Sequence, residues 1–216
     1  MSDRRPVELV VVGGGEHARV VIEAAHAQSD RFLVVGFVDA RTSEATERMG
    51  VPWLGEDKQL LAAGAGGRLY VVGVGVTGVS PARRRLVERY RAAGARFATV
   101  IHPRAVVSPS AVIEEGTVVC AGAVVNTGAR VGAHSIINTS AVVEHDVMLG
   151  AFVHAAPASA IGGGASIGAG TYLGLGCRVR DHVKVGSDVQ VGMGAVVVGD
   201  VPDGGVVVGV PAREMR

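Results

Sequence analysis

The hydrophobic pattern of the chain changes once, near residue 100. Before that point, Val7–Val12, Phe32–Val38 and Leu69–Val72 have the length and composition of buried strands. The segments 18–27 and 82–93 have the periodicity of helices. Strands and helices that alternate at this spacing predict a small α/β unit, a Rossmann-like parallel sheet.

After residue 100, one aliphatic residue recurs at every sixth position. From Ile101 to Val197 this period gives 17 positions, and 16 of them hold Ile, Val or Leu, with Ala155 as the exception. Small or β-branched residues dominate two positions earlier, and glycine often follows. An amphipathic helix cannot keep this register, because a period of six drifts around a helix of 3.6 residues per turn. The pattern predicts a parallel β-helix of hexapeptide repeats, uninterrupted for about five coils.

The two patterns divide the chain into two predicted domains. The first covers 1–100 and is the α/β unit, and the second covers 101–216 and is the β-helix. In the β-helix, three hexapeptides form one triangular coil, and the aliphatic residue points into the prism. The small residue two positions earlier shares that interior.

Composition narrows the possible partners. The net charge is +1, so no strongly basic field favours a nucleic acid partner. No apolar run is long enough to predict a membrane helix, and the first residues lack the apolar core of a signal peptide. Two cysteines are too few for a disulfide framework. We therefore expect a cytoplasmic protein with no nucleic acid and no membrane partner.

A glycine-rich segment follows the first predicted strand. Gly13-Gly14-Gly15-Glu16-His17-Ala18 opens a predicted helix and is a variant of the dinucleotide-binding fingerprint. Asp39 ends the second predicted strand, where an acidic residue often contacts a ribose. One interpretation is NAD binding. Two features argue against NAD binding. The unit has only about 100 residues, roughly half of the six-stranded fold that usually binds NAD. His17 also occupies the turn that would face the phosphates.

His145 is the first candidate for chemistry in the repeat. It lies between Glu144 and Asp146, two residues after Val143, in a predicted turn where side chains point out of the prism. A carboxylate beside an imidazole fixes its tautomer and raises its basicity, as a general base requires. The alternative is a solvated histidine in a turn. His154 follows half a coil later, so the two histidines are expected on different sides of one subunit.

The other polar candidates have simpler interpretations. His134 and His182 are predicted to be solvated residues in turns. No metal is expected, because a zinc site needs three ligands around one ion, and His134, His145 and His154 are not spaced for that. The segment Arg83–Arg85 is either a phosphate patch or a solvated helix face.

Four short segments carry a resemblance to a known family. They are Gly13-Gly14-Gly15-Glu16-His17, Ile101-His102-Pro103, the segment 137–146 that ends in Glu-His-Asp, and Gly209-Val210-Pro211-Ala212-Arg213. Together they resemble the NeuD/PglD-type sugar acyltransferases over essentially the whole chain. The resemblance implies a left-handed β-helix, an N-terminal nucleotide-sugar-binding domain, acetyl-CoA as co-substrate, and a homotrimer with active sites between the prisms.

The resemblance also implies roles for individual residues. His145 corresponds to the general base, and Asp146 to the acidic residue that tunes it. The implied contacts to acetyl-CoA are His154, Gly163, Leu175 and Met193. The implied contacts to the nucleotide sugar are Gly15, Glu16, His17, Asp39 and Gly75.

The implied activity is acetyl-CoA-dependent N-acetylation of a nucleotide-linked amino sugar, for glycan or polysaccharide biosynthesis. The sequence leaves open an O-acetyltransferase that acts on a hydroxyl of a sugar of the sialic acid type. A third hypothesis is a ligand-binding trimeric scaffold without catalysis. The acidic neighbours of His145 argue against this third hypothesis.

Overall fold

The chain forms two compact units in the computed structural model, which describes residues 5–62, 64 and 66–215. The first unit extends to Gly75 and also contains Ala82–Pro103. The second unit contains Val76–Pro81 and the chain from Arg104 onwards. The short segment Val76–Pro81 therefore groups with the repeat, although it lies inside the first hundred residues.

The first unit is built on a parallel sheet. Its strands and helices are β1 (Val7–Val12), α1 (Glu16–His26), β2 (Phe32–Val38), α2 (Glu44–Glu47), α3 (Asp57–Ala62), β3 (Leu69–Val72), α4 (Ala82–Ala92), β4 (Arg96–Phe97) and β5 (Val100–Ile101). The sheet order is β2-β1-β3-β4, with every pair parallel. The first three predicted strands are confirmed to the residue. The short elements α2, α3 and β4 were not predicted.

The packing of α1 on the sheet follows from its sequence. Ala18, Val21, Ile22 and Ala25 lie on one face of the helix, and all four are fully buried. The last four residues of β1 are also buried, as expected for the central strand of a parallel sheet. Because the strands are parallel, the loops after β1, β2 and β3 all begin at the same edge of the sheet.

The second unit is a parallel β-solenoid of about six turns, which confirms the predicted fold class. One sheet contains β7 (Val112–Ile113), β10 (Arg130–Val131), β13 (Met148–Leu149), β16 (Ser166–Ile167) and β19 (Lys184–Val185). A second contains β6 (Val106–Val107), β9 (Val124–Val125), β12 (Val142–Val143), β15 (Ala160–Ile161), β18 (Arg178–Val179) and β21 (Val196–Val197). The third includes β8 (Val118–Val119), β11 (Ile136–Ile137), β14 (His154–Ala155), β17 (Tyr172–Leu173), β20 (Gln190–Val191), β22 (Val206–Val208) and the antiparallel β23 (Arg213–Glu214).

The interior of the prism confirms the predicted register. Every period-six aliphatic residue ends a two-residue strand, and all of them are buried from Val119 to Val197. The residues two positions earlier are buried as well, including Thr117 and Ser135. Their hydroxyl groups donate hydrogen bonds to the carbonyl oxygens of Gly132 (3.1 Å) and Gly150 (3.2 Å), so these two interior hydroxyl groups are satisfied.

The turns of the solenoid share one backbone conformation. From residue 116 to residue 194, every sixth residue has a positive φ, between 51° and 73°. Glycine occupies half of these positions, and the others are His134, Ser140, Asp146, Phe152, Ala158, His182 and Asp188. Residues with a Cβ are disfavoured in this left-handed conformation, so the five consecutive non-glycine turns from 134 to 158 are unusual.

Neighbouring coils also determine what a turn can hold. Residues 18 apart are stacked, as the pairing of Val142 with Ala160 shows. A Cβ atom on Gly164 would lie 2.5 Å from Nδ1 of His182, so the glycine leaves space for the imidazole one coil later. His182 is exposed, as predicted. The prediction for His134 is wrong: its ring is only 2% exposed and stacks on Phe152, with 5.2 Å between ring centroids.

Candidate functional site

His145 and Asp146 form a hydrogen-bonded pair in the turn between β12 and β13. Nδ1 of His145 lies 3.1 Å from Oδ2 of Asp146, and both side chains are exposed. Asp146 occupies the left-handed position of the turn, with φ 57°. With the carboxylate accepting a hydrogen bond from Nδ1–H, the favoured tautomer leaves the lone pair of Nε2 available as a base.

Hydrogen bonds to both adjacent coils hold this turn in place. The backbone N–H of Asp146 donates to the carbonyl oxygen of Thr127 (3.0 Å), and the carbonyl of His145 accepts from Gly164 (2.9 Å). Glu144 has a different role from Asp146. Its Oε2 accepts from the amide of Asn126 (3.1 Å) and from the backbone N–H of His145 (3.3 Å). Glu144 therefore orients the backbone of the turn, while Asp146 orients the imidazole.

Gly163 lies directly under the His145 imidazole, one coil later. A Cβ atom at Gly163 would overlap Nε2 of His145 and lie 2.6 Å from Cε1. Gly128, one coil earlier, leaves room for the Asp146 carboxylate in the same way. The structure thus brings His145, Asp146 and Gly163 together in one corner of the prism, and Gly163 itself is buried.

His154 belongs to a different face of the solenoid. It lies in β14, is 6% exposed, and its Nε2 is 3.1 Å from the amide nitrogen of Asn138. Tyr172 packs against the imidazole edge-on, with 5.3 Å between the ring centroids. Because β12 and β14 belong to different sheets, the structure does not place His154 beside His145 within one chain.

Leu175 and Met193 lie in the turns that follow β17 and β20. These two strands are paired, so the two residues occupy the same corner in successive coils. Both side chains are exposed, Leu175 by 52% and Met193 by 79%. Large exposed apolar side chains that align along a solenoid are suited to contact a ligand or another subunit. Both turns begin at the third sheet, which contains His154. Gly163 lies in a different corner, between the second sheet and the first.

In the first unit, Gly15 and Asp39 meet at the carboxyl edge of the sheet. Gly15 is the N-cap of α1 and Glu16 is its first residue, and both are exposed. Asp39 follows β2, and its Oδ2 accepts a hydrogen bond from the N–H of Gly14 (2.7 Å). The carboxylate therefore holds the glycine loop at the start of α1, where backbone N–H groups are suited to bind an anion.

A cavity of about 340 Å³ opens at this place. It is lined by Gly14, Gly15, Asp39, Arg41, Thr42 and Ser43. The last three of these residues were not predicted from the sequence. The signal was available, since a cation and two hydroxyl groups lie two to four residues after Asp39.

His17 and Gly75 form a second group at the same edge. A Cβ atom on Gly75 would lie 3.0 Å from Cβ of His17, so the loop after β3 packs directly on the first turn of α1. Burial, and then the nearby charge of Arg83, lower the pKa of His17 to about 4. His17 is therefore neutral at physiological pH.

A second cavity lies near the C-terminal end of the repeat. The segment Gly209–Arg213 adjoins a cavity of about 260 Å³, lined by Val197–Pro202, Val207 and Ala212–Glu214. In the part of the chain that the structure describes, no group of three or more His, Cys, Asp or Glu residues could hold a metal ion. Among the helices of that same part, none is long and apolar enough to cross a membrane.

Two solved structures that match nearly the whole chain are acetyltransferases. A variant of perosamine N-acetyltransferase from Caulobacter crescentus, solved with CoA and GDP-perosamine, is 39% identical, with a TM-score of 0.87 and 97% of each chain covered. The acetyltransferase domain of PglB from Neisseria gonorrhoeae, solved with acetyl coenzyme A, is 38% identical, with a TM-score of 0.89. That match covers 97% of this chain and 100% of the PglB domain.

Three further comparisons concern a more distant structure, the curated proteins and a family model. WeeI from Acinetobacter baumannii shares the fold, at 22% identity and a TM-score of 0.70, over 96% of this chain and 99% of WeeI. A search of the curated proteins gave no significant match. The PglD N-terminal domain family matches residues 8–90. With relatives this similar over nearly its whole length, the chain belongs to the NeuD/PglD-type family of hexapeptide-repeat sugar acetyltransferases.

Proposed function

We propose that the chain is an acetyl-CoA-dependent N-acetyltransferase that acts on the amino group of a nucleotide-linked amino sugar. The observation that carries this proposal is the exposed His145–Asp146 pair, with 3.1 Å between Nδ1 and Oδ2. The perosamine N-acetyltransferase, with 39% identity and a complex with CoA and GDP-perosamine, supports the substrate class. The product would enter glycan or polysaccharide biosynthesis.

In the proposed mechanism, His145 is the general base. The sugar amine attacks the carbonyl carbon of the thioester, a C–N bond forms, and Nε2 of His145 takes a proton from the nitrogen. The tetrahedral intermediate then collapses, the C–S bond breaks, and the CoA sulfur leaves and takes up the proton. Asp146 holds the imidazole in the tautomer that this step needs and stabilises the imidazolium that forms.

The proposed acetyl-CoA contacts are His154, Gly163, Leu175 and Met193. The exposed side chains of Leu175 and Met193 supply apolar surface for the cofactor. Because Nε2 of His154 accepts a hydrogen bond from the Asn138 amide, Nδ1–H is the group that can donate to the thioester oxygen, where negative charge develops in the transition state. Gly163 contributes in a different way, because it makes the space that the imidazole of His145 occupies.

The proposed nucleotide-sugar contacts lie in the first unit. They are Gly15, Glu16, His17, Asp39 and Gly75, around the first turn of α1 and the cavity beside it. Backbone N–H groups at this helix start favour a phosphate, and the helix dipole adds to the effect. Arg41, which lines the same cavity, supplies a cation for a diphosphate.

A homotrimer is part of this proposal, because His145 and His154 belong to different sheets. A base and a thioester-binding group can then meet only between neighbouring prisms. The outward column of the second sheet supports such an assembly, since it is mostly apolar: Val106, Val124, Val142, Ala160 and Val196. Light scattering should give three times the chain mass of 22.0 kDa, and a stable monomer would contradict the shared site. We propose the cytoplasm as the compartment, where acetyl-CoA and nucleotide sugars are both available.

The activity is tested with acetyl-CoA and a panel of UDP-, GDP-, dTDP- and CMP-linked sugars. Each amino sugar is paired with an analogue in which a hydroxyl replaces the amine. Release of free thiol with the amino sugar alone, and an amide in the product by mass spectrometry, is the expected result. An ester product from the hydroxyl analogue would indicate an O-acetyltransferase, and no thiol release with any sugar would favour the scaffold hypothesis.

A further inference from the structure

Arg83 is a buried charge that the proposed mechanism does not use. It lies in the first turn of α4 and is only 4% exposed, whereas Arg85, two residues later, is exposed. Its Nη1 donates hydrogen bonds to the carbonyl oxygens of Val72, at 3.4 Å, and of Val74. The guanidinium is thereby attached to the end of β3 and to the loop that follows. The expectation of a solvated helix face holds for Arg85 but not for Arg83.

Stability alone gives little reason to keep a cation at this position. A buried charge loses its hydration, and apolar residues of similar volume often replace buried ionic groups without loss of stability. The first turn of a helix is also unfavourable for a cation, because the helix dipole is positive there. The presence of Arg83 is therefore better explained by the groups that it contacts than by stability.

The loop that Arg83 holds is packed tightly against the nucleotide-sugar contacts. A Cβ atom on Gly13 would lie 2.8 Å from Cγ2 of Val74, and one on Gly73 would lie 2.8 Å from Cβ of Ala18. Gly75 packs in the same way on His17. The loop after β3, the glycine loop after β1 and the first turn of α1 therefore cannot move independently of one another.

We propose that Arg83 is a positioning residue of the nucleotide-sugar site. It fastens the Val72–Gly75 loop and so holds Gly13 and His17 in the geometry that binds the nucleotide. The inference rests on the proposed function, since it concerns the same substrate. The lowered pKa of His17 supports it, because Arg83 acts on His17 through its charge as well as through the loop.

The test compares Arg83→Met and Arg83→Lys with Arg85→Met as the matched exposed control. Hydrogen bonds from a charged donor are strong enough that Arg83→Met should raise KM for the nucleotide sugar by about 10- to 100-fold. kcat and KM for acetyl-CoA should stay within about threefold of the wild type, because the loss concerns binding of one substrate. Arg83→Lys keeps the charge but loses the planar fork, so its KM should be intermediate. Arg85→Met should behave as the wild type.

Each outcome decides the question. A KM for the nucleotide sugar in Arg83→Met that stays within about twofold of the control overturns the proposal. If circular dichroism shows that Arg83→Met is unfolded, Arg83→Lys decides, and a wild-type KM in that variant overturns the proposal. If the wild type acetylates no sugar, the proposed function fails, and calorimetry with GDP and UDP tests Arg83 separately. Equal affinities in the wild type and Arg83→Met, or no binding by the wild type, would then refute the positioning role.

Discussion

In the first unit, the candidate residues come from three loops, whereas in the solenoid the catalytic candidates are neighbours in one turn. Gly15, Asp39 and Gly75 are far apart in sequence and share one edge only because β1, β2 and β3 are parallel. His145 and Asp146 are adjacent, and their surroundings are set by the coils on either side. The environment of a residue therefore depends on the topology of the whole sheet in one unit, and on the residue 18 positions away in the other.

Replacing His145 by alanine is expected to have the largest effect. A general base contributes about 10²- to 10⁴-fold, so kcat should fall by that factor. KM for the nucleotide sugar should change little, because the proposed contacts to that substrate lie in the first unit. Steady-state kinetics on the intact assembly measures both parameters. This outcome would separate the two units by function, with turnover in the solenoid and recognition in the sheet.

The matched control for this variant is His182→Ala. His182 is also an exposed turn histidine of the solenoid, with φ 56°, and Ala158 already adopts the same φ in another turn. This control should keep the wild-type kcat. If His145→Ala retains more than about a tenth of the wild-type kcat while it stays folded, His145 is not the base.

Gly163→Ala tests whether a residue one coil away determines the position of the His145 imidazole. The added Cβ would overlap Nε2 of His145, so the imidazole must leave its position. Small displacements of a catalytic group are costly, and kcat should fall by about 10- to 100-fold. Gly199→Ala is the control, because a Cβ atom at Gly199 meets nothing within 4 Å.

The same variant distinguishes two roles for Gly163. If the glycine serves only to make room for His145, KM for acetyl-CoA remains at the wild-type value. An increase in that KM would indicate a direct contact with the cofactor. A wild-type kcat in Gly163→Ala would show that the His145 ring adjusts without loss of activity. It would contradict the view that the position of His145 depends on the residue one coil away.

Asp146→Asn is expected to have a smaller effect on the same turn. Asparagine tolerates the left-handed conformation of this position, so the turn should keep its shape. The amide cannot stabilise the imidazolium as a carboxylate does, and kcat should fall by about tenfold, less than for loss of the base. A matched change, Asp188→Asn, at another left-handed turn should leave kcat unchanged. A loss in Asp146→Asn as large as in His145→Ala would mean that the carboxylate does more than orient the ring and stabilise the imidazolium.

The solenoid could be predicted from sequence more fully than the sheet unit. Its period fixes which residues point inwards, and the aliphatic positions from Val119 to Val197 are all buried. The long-range contacts of the first unit have no such period. Helical spacing places Arg83, but not Arg85, on the face of α4 that also carries the buried Val87 and Tyr90. That its guanidinium binds the carbonyl groups of Val72 and Val74 depends on the fold and has no signal in the local sequence. The cavity beside Arg41 likewise depends on the arrangement of two loops, those after β1 and β2.

One feature of the solenoid could have been predicted and was missed. Its left-handed turn position recurs every six residues, and glycine is absent from it in five consecutive turns, 134 to 158. These turns include Asp146 and lie on both sides of His145 and His154. Strained backbone positions of this kind cost free energy and occur preferentially at functional sites. The run of non-glycine turns therefore indicates the site independently of any single histidine.

The smallest expected effect concerns the stability of the first unit at acidic pH. The pKa of His17 is about 4 in the folded protein, against 6.5 for an ordinary histidine. Between these values the unfolded chain binds a proton that the folded chain does not, so the free energy of unfolding falls as the pH falls. This contribution is fully present above pH 6.5 and is lost progressively towards pH 4. At pH 5 the loss should be about 1 to 2 kcal/mol.

His17→Gln removes this titration and should flatten the pH dependence by that amount, whereas His26→Gln, on the exposed side of the same helix, should not. Trp53 is the only tryptophan of the chain and lies in the first unit, so its fluorescence in a denaturant titration follows the unfolding of that unit. Titrations at pH 7.5 and pH 5 therefore measure the effect apart from the solenoid. An equal loss of stability in the wild type and His17→Gln would show that His17 is not held neutral by its burial and by Arg83. The packing of the loop after β3 against α1 would then be looser than the contacts of Gly75 indicate.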